Sequence, residues 1–219
     1  MLSLASLQSG KTVRVLCLGA HSDDIEIGCG GTLLTWIADG MRLEVHWCVF
    51  SATGDRADEA SRSAESFLCG AQSKAIDLGD FRDGFFPYQG AELKSRFEAI
   101  KVKFEPDVVF THRRGDAHQD HREVNRLTWN TFRNHLILEY EIPKWDGDIA
   151  QPNLYQPLPQ SALDQKIALL DRHFGTQRSK DWFDADTFRG LARIRGMECR
   201  AKERFAEAYF ARKLTLGTR

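Results

Sequence analysis

Short apolar runs alternate with helical patterns up to residue 142, and this alternation constrains the fold more than any other feature. The runs at 13–18, 43–50, 75–78, 108–110 and 136–142 predict five strands. Apolar residues at helical spacing fill the segments between them, and these segments end at Gly40, at Gly70 or before Pro106. Strands that alternate with helices form parallel sheets covered on both faces. The sequence therefore predicts a Rossmann-like three-layer α/β/α sandwich with a mostly parallel sheet.

The last third of the chain has a different pattern. Four of the six prolines lie between residues 143 and 159, so we expect an irregular rim loop over about 143–160. Leu163, Ile167 and Leu170 predict one helix, and residues 191–210 predict a longer one. The length of 219 residues, of which 42% are hydrophobic, predicts a single domain over 1–219.

Charge and cysteine content narrow the classes of partner and the compartment. The formal net charge is -1, so no overall field attracts nucleic acid or an anionic membrane. The five cysteines are scattered and never spaced as C-x-x-C, which favours a reducing compartment over a disulfide framework or a thiolate zinc site. The N-terminus lacks a leader pattern, and no apolar run is long enough to span a bilayer. We expect a cytoplasmic protein without a membrane anchor, and the oligomeric state stays open.

The first chemical motif follows the first strand. It reads Gly-Ala-His-Ser-Asp-Asp-Ile-Glu-Ile-Gly over residues 19–28 and offers the side chains of His21, Asp23 and Asp24. Open α/β sheets bind ligands at the carboxyl ends of their strands. A helix-capping Asp beside a surface His would give a similar pattern, so this motif alone does not decide between structure and function.

The second motif follows the fourth strand and contains Asp116, His118, Asp120 and His121. It lies at the same edge of the predicted sheet as the first motif. If the first and fourth strands are neighbours, as in the usual doubly wound order, the two clusters face each other across one crevice. Two such clusters at matching positions favour a functional site over a loop of unrelated polar residues.

Two histidines and one carboxylate around an ion leave one coordination position open, which is typical of catalytic rather than structural zinc. The same ligand types form the facial triad of non-haem iron(II) oxygenases, so ligand type alone does not fix the metal. The adjacent Asp23 and Asp24 favour zinc hydrolysis, because one carboxylate can bind the ion while the other accepts a proton from water.

At these residues the sequence resembles the PIG-L or LmbE-like family of N-acetylglucosaminyl deacetylases. The family motifs A-H-[PAS]-D-D-x-E-x-G and H-x-D-H match residues 20–28 and 118–121 in full. The resemblance extends to Arg62-Ser63-Ala64-Glu65, similar to an R-x-x-E helix, and to Ala206-Glu207-Ala208-Tyr209-Phe210 near the end of the chain. Ser22 departs from the usual proline, which loosens the turn and removes no chemical group.

The resemblance implies a zinc-dependent deacetylase that removes an N-acetyl group from an amino sugar or its conjugate by attack of an activated water. It implies one Zn²⁺ per chain, with Fe²⁺ or Co²⁺ as alternatives, bound by His21, Asp24 and His121. It further implies that Asp23 is the general base, that His118 stabilises the oxyanion or protonates the amine, and that Asp120 orients His118. Arg62 would reach the substrate; its alternative is an ion pair with Glu65 on a solvated helix face.

Two other functions remain open at this point, a metal-dependent phosphoesterase and a sugar-binding protein without catalysis. Acetate release distinguishes the deacetylase from both. Aromatic residues in and after the rim loop either stack on a sugar ring or pack internally, namely Trp145, Tyr155, Trp182 and Phe183. Arg113 and Arg114 either meet a phosphate or are simply solvated.

Overall fold

The computed structural model describes residues 11–215, which form one seven-stranded sheet with helices on both faces. The first ten residues, where the sequence predicts no leader, lie outside the described residues. The elements in chain order are β1 (Val13–His21), α1 (Asp24–Ala38), β2 (Leu43–Ser51), α2 (Asp55–Phe67), β3 (Ser73–Leu78), α3 (Gly90–Lys103), β4 (Val108–His112), α4 (Gln119–Thr131), β5 (Leu136–Tyr140), β6 (Leu154–Leu158), α5 (Gln160–His173), α6 (Ala185–Glu198) and β7 (Phe205–Phe210). Short 3₁₀ turns occupy Phe86–Tyr88 and Gly175–Gln177.

The sheet order is β3-β2-β1-β4-β5-β7-β6. The first five strands pair in parallel, whereas β7 is antiparallel to both β5 and β6. The predicted three-layer α/β sandwich with a mostly parallel sheet is thus confirmed, and β1 and β4 are neighbours as the doubly wound order requires.

The central strands β1, β2, β4 and β5 are buried on both faces, which explains their long apolar runs. Along β1, Val15 and Cys17 belong to one apolar core, while Leu16 and Leu18 belong to the other. Helices α1, α2, α5 and α6 cover the first core, and α3 and α4 cover the second. None of the helices within residues 11–215 is long and apolar enough to cross a membrane.

Helix α1 packs very closely on the sheet because it carries glycine where a side chain would not fit. A Cβ atom at Gly28 would lie 2.3 Å from the ring of Tyr140 on β5. The glycines of the first motif therefore serve this close packing.

Two predictions for the last third are wrong. Residues 154–158 form strand β6, which tolerates Pro157 because β6 lies at the sheet edge and pairs only with β7. Residues 191–210 are not one helix: α6 ends at Glu198, and β7 begins at Phe205. Between α6 and β7, Arg200 and Arg204 adopt positive φ angles, so the chain reverses direction there. It then continues as strand β7.

A buried ion pair connects α1, α5 and β7. Glu207 on β7 accepts hydrogen bonds from the backbone N–H groups of Gly31 and Thr32 and from the ammonium of Lys166, which lies 2.6 Å away. Lys166 also donates to the carbonyl oxygen of Ile27 at 2.6 Å. Both charged residues are at most 6% exposed, so each depends on the other for the stability of its charge.

We expect Glu207→Ala to lower the free energy of unfolding by about 3 to 5 kcal/mol, because Lys166 would be left as an unpaired buried charge. Denaturant unfolding measures this. Glu44→Ala is the matched control, since Glu44 lies 3.5 Å from Arg14 in a partly exposed pair, and pairs near the surface are worth less than about 1 kcal/mol. Similar losses in both variants would contradict the role of the buried pair.

Candidate metal centre

The two motifs meet at the carboxyl ends of β1 and β4. These strands pair in parallel, with Val15 opposite Val108 and Cys17 opposite Phe110. Strand β1 ends at His21 and α1 begins at Asp24, while β4 is followed by a loop that leads into α4 at Gln119. The sheet therefore brings His21 to His121 although 100 residues separate them along the chain.

Three side chains lie close together, and pairs of their nitrogen and oxygen atoms have spacings that suit metal ligands. Nδ1 of His21 lies 3.2 Å from Nε2 of His121 and 3.5 Å from Oδ2 of Asp24. Nε2 of His121 lies 3.5 Å from Oδ1 of Asp24. Ligands bonded at about 2.0 to 2.1 Å to a tetrahedral ion are about 3.3 Å apart. The geometry and chemistry of these donors fit the metal that the sequence predicts.

Neighbouring charges determine the protonation states of these ligands. Burial would raise the pKa of Asp24, but His121 and His112 outweigh it and hold this pKa well below its usual range. Burial, reinforced by His112, lowers the pKa of His121 to about 4. Asp24 is therefore ionised and His121 neutral near pH 7, which are the forms that bind metals.

His21 behaves differently from His121. Burial acts to lower the pKa of His21, but hydrogen bonds to Asp120 and Asp24 raise it well above the usual value. Binding of an ion at this imidazole would therefore release a proton.

Asp23 lies beside the three candidate ligands and is not paired in the same way as Asp24. Its Oδ1 accepts a hydrogen bond from Arg56 at 3.0 Å, and its buried Oδ2 has no partner among the described residues. Burial raises the pKa of Asp23, while the charge of Arg56 opposes this effect. Asp23 thus combines a free acceptor oxygen with an elevated pKa, the properties of a general base.

Asp120 does not hold His118 through its carboxylate. The two oxygens of Asp120 accept the N–H groups of Gly84 at 2.6 Å and Phe86 at 3.1 Å, and Oδ2 lies 3.2 Å from Nε2 of His21. The contact with His118 is instead a hydrogen bond of 3.3 Å from the backbone N–H of Asp120 to Nδ1. The structure therefore places the carboxylate of Asp120 behind the candidate ligand His21.

His118 begins α4 as its N-cap residue and packs against the rings of His21 and His121 at centroid distances of 4.9 and 4.7 Å. Burial and the nearby His21 lower the pKa of His118 below its usual value. Because Nδ1 accepts from Asp120, a neutral His118 carries its proton on Nε2. It can therefore donate a hydrogen bond without being a cation.

Two further residues support the ligands, and the sequence analysis gave neither a role. Oδ2 of Asp116 lies 3.1 Å from Nδ1 of His121, on the side away from the other ligands, and Lys144 lies 3.1 Å from Oδ1 of Asp116. His112 ends β4, stacks on His121 at 3.8 Å and lies 3.1 Å from Oδ2 of Asp24. The role of Asp116 could have been predicted from the sequence, because Asp116 lies within the second motif and imidazole ligands usually have a carboxylate partner.

The structure does not bring Arg62 into the cleft. Arg62 is exposed on α2, whereas Arg56, six residues earlier on the same helix, reaches Asp23. Arg56-Ala57-Asp58-Glu59 has the same R-x-x-E spacing as the segment that begins at Arg62. The sequence thus contains two segments with the R-x-x-E spacing. Only the fold shows that the arginine of the first segment, Arg56, is the one that reaches the cleft.

The centre opens into a cleft of about 390 Å³. Trp145 and Trp182 line it together with Arg56 and Lys180, while Tyr155 and Phe183 lie outside its lining. The indole N–H of Trp145 donates to Asp181 at 2.6 Å and so joins the two segments of the rim.

A second group of metal-binding residue types, His46, Cys48 and Asp77, lies on β2 and β3. Asp77 is already paired with Arg96 there. A guanidinium next to a cation is unfavourable, so this group is a weaker candidate for a metal site than the cluster around His21 and His121.

Comparisons with known proteins identify the family. Residues 16–132 match the PIG-L family model, described as GlcNAc-PI de-N-acetylase. A relative from Escherichia coli K12, the uncharacterized deacetylase YaiS, is 30% identical over 185 residues, which cover 79% of this chain and 95% of the relative. The chain belongs to the PIG-L family of deacetylases.

Solved structures share the fold at low sequence identity. N,N'-diacetylchitobiose deacetylase from Pyrococcus horikoshii is 20% identical with a TM-score of 0.67, covering 94% of this chain and 86% of that one. The 4-carboxy-2-hydroxymuconate hydratase GalB from Pseudomonas putida KT2440 is 15% identical with a TM-score of 0.71, covering 94% and 99%. One fold thus carries different reactions, and the function has to be argued from the site.

We expect Asp116→Asn to weaken zinc affinity about 10- to 100-fold, because an amide supports the imidazole of His121 less well than a carboxylate. Competition with a chromophoric chelator measures the affinity. Asp146→Asn is the matched control, because Asp146 is an exposed carboxylate at the rim of the same cleft. Unchanged affinity in the Asp116 variant would show that Asp116 does not support the ligand.

Proposed function

We propose that the protein is a metal-dependent N-deacetylase that hydrolyses the acetamide of an N-acetylated amino sugar or its conjugate. The observation that carries this proposal is the cluster of His21, Asp24 and His121 at spacings of 3.2 to 3.5 Å, with the free oxygen of Asp23 beside it. Three ligands, an open position and an adjacent base are the parts of metal-assisted hydrolysis.

His21, Asp24 and His121 would hold the ion, and Zn²⁺ suits this mixture of imidazole and carboxylate, with Fe²⁺ or Co²⁺ as alternatives. When bound, the ion supplies Lewis acidity to the attacking water and the amide carbonyl. Asp116 and Asp120 fix the orientation of the imidazoles of His121 and His21 from behind.

Asp23 is the proposed general base. Its Oδ2 accepts a proton from water as the oxygen attacks the acetamide carbon, and Arg56 holds the other oxygen in place. The protonated Asp23 then gives this proton to the departing nitrogen as the C–N bond breaks. Water and amide are thereby converted to acetic acid and an amine, which leave as acetate and ammonium at neutral pH, with no net proton left on the protein.

His118 is the proposed donor to the developing oxyanion. Its ring stands next to both imidazole ligands, and Nε2 carries the proton in the neutral form. A neutral donor suffices for this role, since a preformed hydrogen bond to the oxyanion is worth about 10²- to 10³-fold in rate.

The rim supports an amino sugar as the carrier of the acetamide. Trp145 is 68% exposed in the cleft, and its hydrogen bond to Asp181 and edge contact with Trp182 fix the plane of its ring. A fixed, exposed indole suits the apolar face of a pyranose. The deacetylase from Pyrococcus horikoshii acts on an N-acetylated disaccharide, which supports the same substrate class for this chain.

The test is acetate release from a panel of N-acetylated sugars by the metal-loaded enzyme. We expect Asp23→Asn to retain the metal and lose about 10²- to 10⁴-fold in kcat, because an amide cannot accept the proton of water. Asp24→Asn should instead lose metal affinity. Elemental analysis and acetate detection distinguish the two effects.

Release of phosphate from sugar phosphates without acetate release would favour the phosphoesterase, and sugar binding without turnover would favour a binding protein. Full activity of the Asp23 variant would place the base elsewhere.

The pH profile provides an independent test of Asp23. The base must be ionised, so kcat/KM is lost as the pH falls through the pKa of Asp23, which burial raises and Arg56 opposes. Arg56→Gln removes the opposing charge, and the acidic limb should move to higher pH by about one unit or more. Arg56→Lys keeps the charge and should move the limb much less. If the acidic limb of the Arg56→Gln profile does not move, the limb does not report the ionisation of Asp23.

A further inference from the structure

A second cavity, of about 540 Å³, lies against the loop between β4 and α4 and shares no lining residue with the metal cleft. Arginines from three segments line it: Arg114 from the loop, Arg122 and Arg126 from α4, and Arg212 from the segment after β7. Nothing in the proposed deacetylation uses these side chains. The chain has a net charge of only -1, so this is a local concentration of positive charge.

Two of the four guanidinium groups have no carboxylate partner. Within residues 11–215, no aspartate or glutamate pairs with Arg114 or Arg122. Arg122 is held instead by the main-chain carbonyl oxygens of Asp116, at 2.9 Å, and Ala117. These contacts orient its guanidinium and leave its charge uncompensated.

The other two arginines are fixed by carboxylates. Arg126 pairs with Glu123, which is the one carboxylate that lines the cavity. Arg212 donates to the buried Glu139 at 2.5 Å and to Asn125 at 3.0 Å. The cavity wall is thus positioned in advance and carries two positive charges in excess.

Arg212 is further held by an aromatic ring. Its guanidinium carbon lies 4.0 Å from the ring centroid of Trp129, whose indole N–H also donates to Glu139 at 2.6 Å. A guanidinium held by a carboxylate and a ring loses little conformational entropy when it binds a ligand.

We propose that this cavity binds a small molecule through a phosphate group. A phosphate offers several strong acceptor oxygens and up to two negative charges, and guanidinium groups match this geometry with paired N–H donors. The volume lies within the range of small-molecule sites. The site is a concave pocket of limited size. Nucleic acid is bound through a long row of phosphates, so this pocket favours a small phosphorylated ligand.

The test is titration of the metal-loaded protein with inorganic phosphate at constant ionic strength, followed by calorimetry. We expect one site per chain, and Arg114→Gln and Arg122→Gln should each weaken phosphate binding about tenfold or more, as expected for the loss of one charged donor. The control is Arg133→Gln, because Arg133 is an exposed arginine just beyond the end of α4 that does not line the cavity. Arg114 donates a hydrogen bond from its backbone N–H to Glu139 at 2.9 Å, and glutamine retains this contact, so we expect the Arg114 variant to fold like the parent.

Asp24→Asn distinguishes this cavity from the metal centre. We expect this variant to bind phosphate with the parent's affinity. Phosphate binding that is lost in Asp24→Asn and unchanged in the two arginine variants would place the anion on the metal and overturn the proposal. Absence of binding, or equal weakening in Arg133→Gln, would also overturn it.

Discussion

The parallel pairing of β1 with β4 is the constraint on which the rest of the structure depends. It joins two motifs that are far apart in sequence and places their side chains at one sheet edge, 3.2 Å apart at the closest pair of imidazole nitrogens. Strand β1 is central and buried on both faces, so its register cannot slip without moving its apolar side chains out of both cores. The rigidity of the centre follows from the rigidity of this strand.

Adjacent carboxylates acquire opposite properties from their surroundings. Asp24 faces His121 and His112, and these outweigh burial and hold its pKa low. Asp23 faces Arg56 through one oxygen only, and burial prevails and raises its pKa. Environments that drive two carboxyl pKa values apart are the usual way in which one site obtains both a ligand and a base. The opposite pKa shifts of these two residues, and with them the proposed roles of ligand and base, are therefore a property of the fold around them.

Buried charge also organises the structure away from the centre. Glu207 and Lys166 connect the antiparallel end of the sheet to α1, the helix that begins at the metal centre. Behind the candidate ligands, Asp116 in the loop before α4 lies beside the imidazole of His121, and Asp120 in the first turn of α4 lies beside the imidazole of His21. Each of these charges is paired, because an isolated ion in the interior would cost several kcal/mol. Arg122, the residue that follows the second motif, lines a separate cavity.

The sequence by itself determined the parallel α/β architecture and the two motifs, because apolar periodicity and motif spacing are local properties of the chain. It did not reveal β6, because a proline within a strand is tolerated only at a sheet edge. It did not reveal β7, because the reversal at Arg200 and Arg204 depends on the surrounding fold. Nor could it choose between Arg56 and Arg62, which have the same local spacing, or show that the carboxylate of Asp120 lies behind His21. Only the tertiary structure decided these points, because the direction of a side chain and the pKa of a buried group depend on neighbours that are distant in sequence.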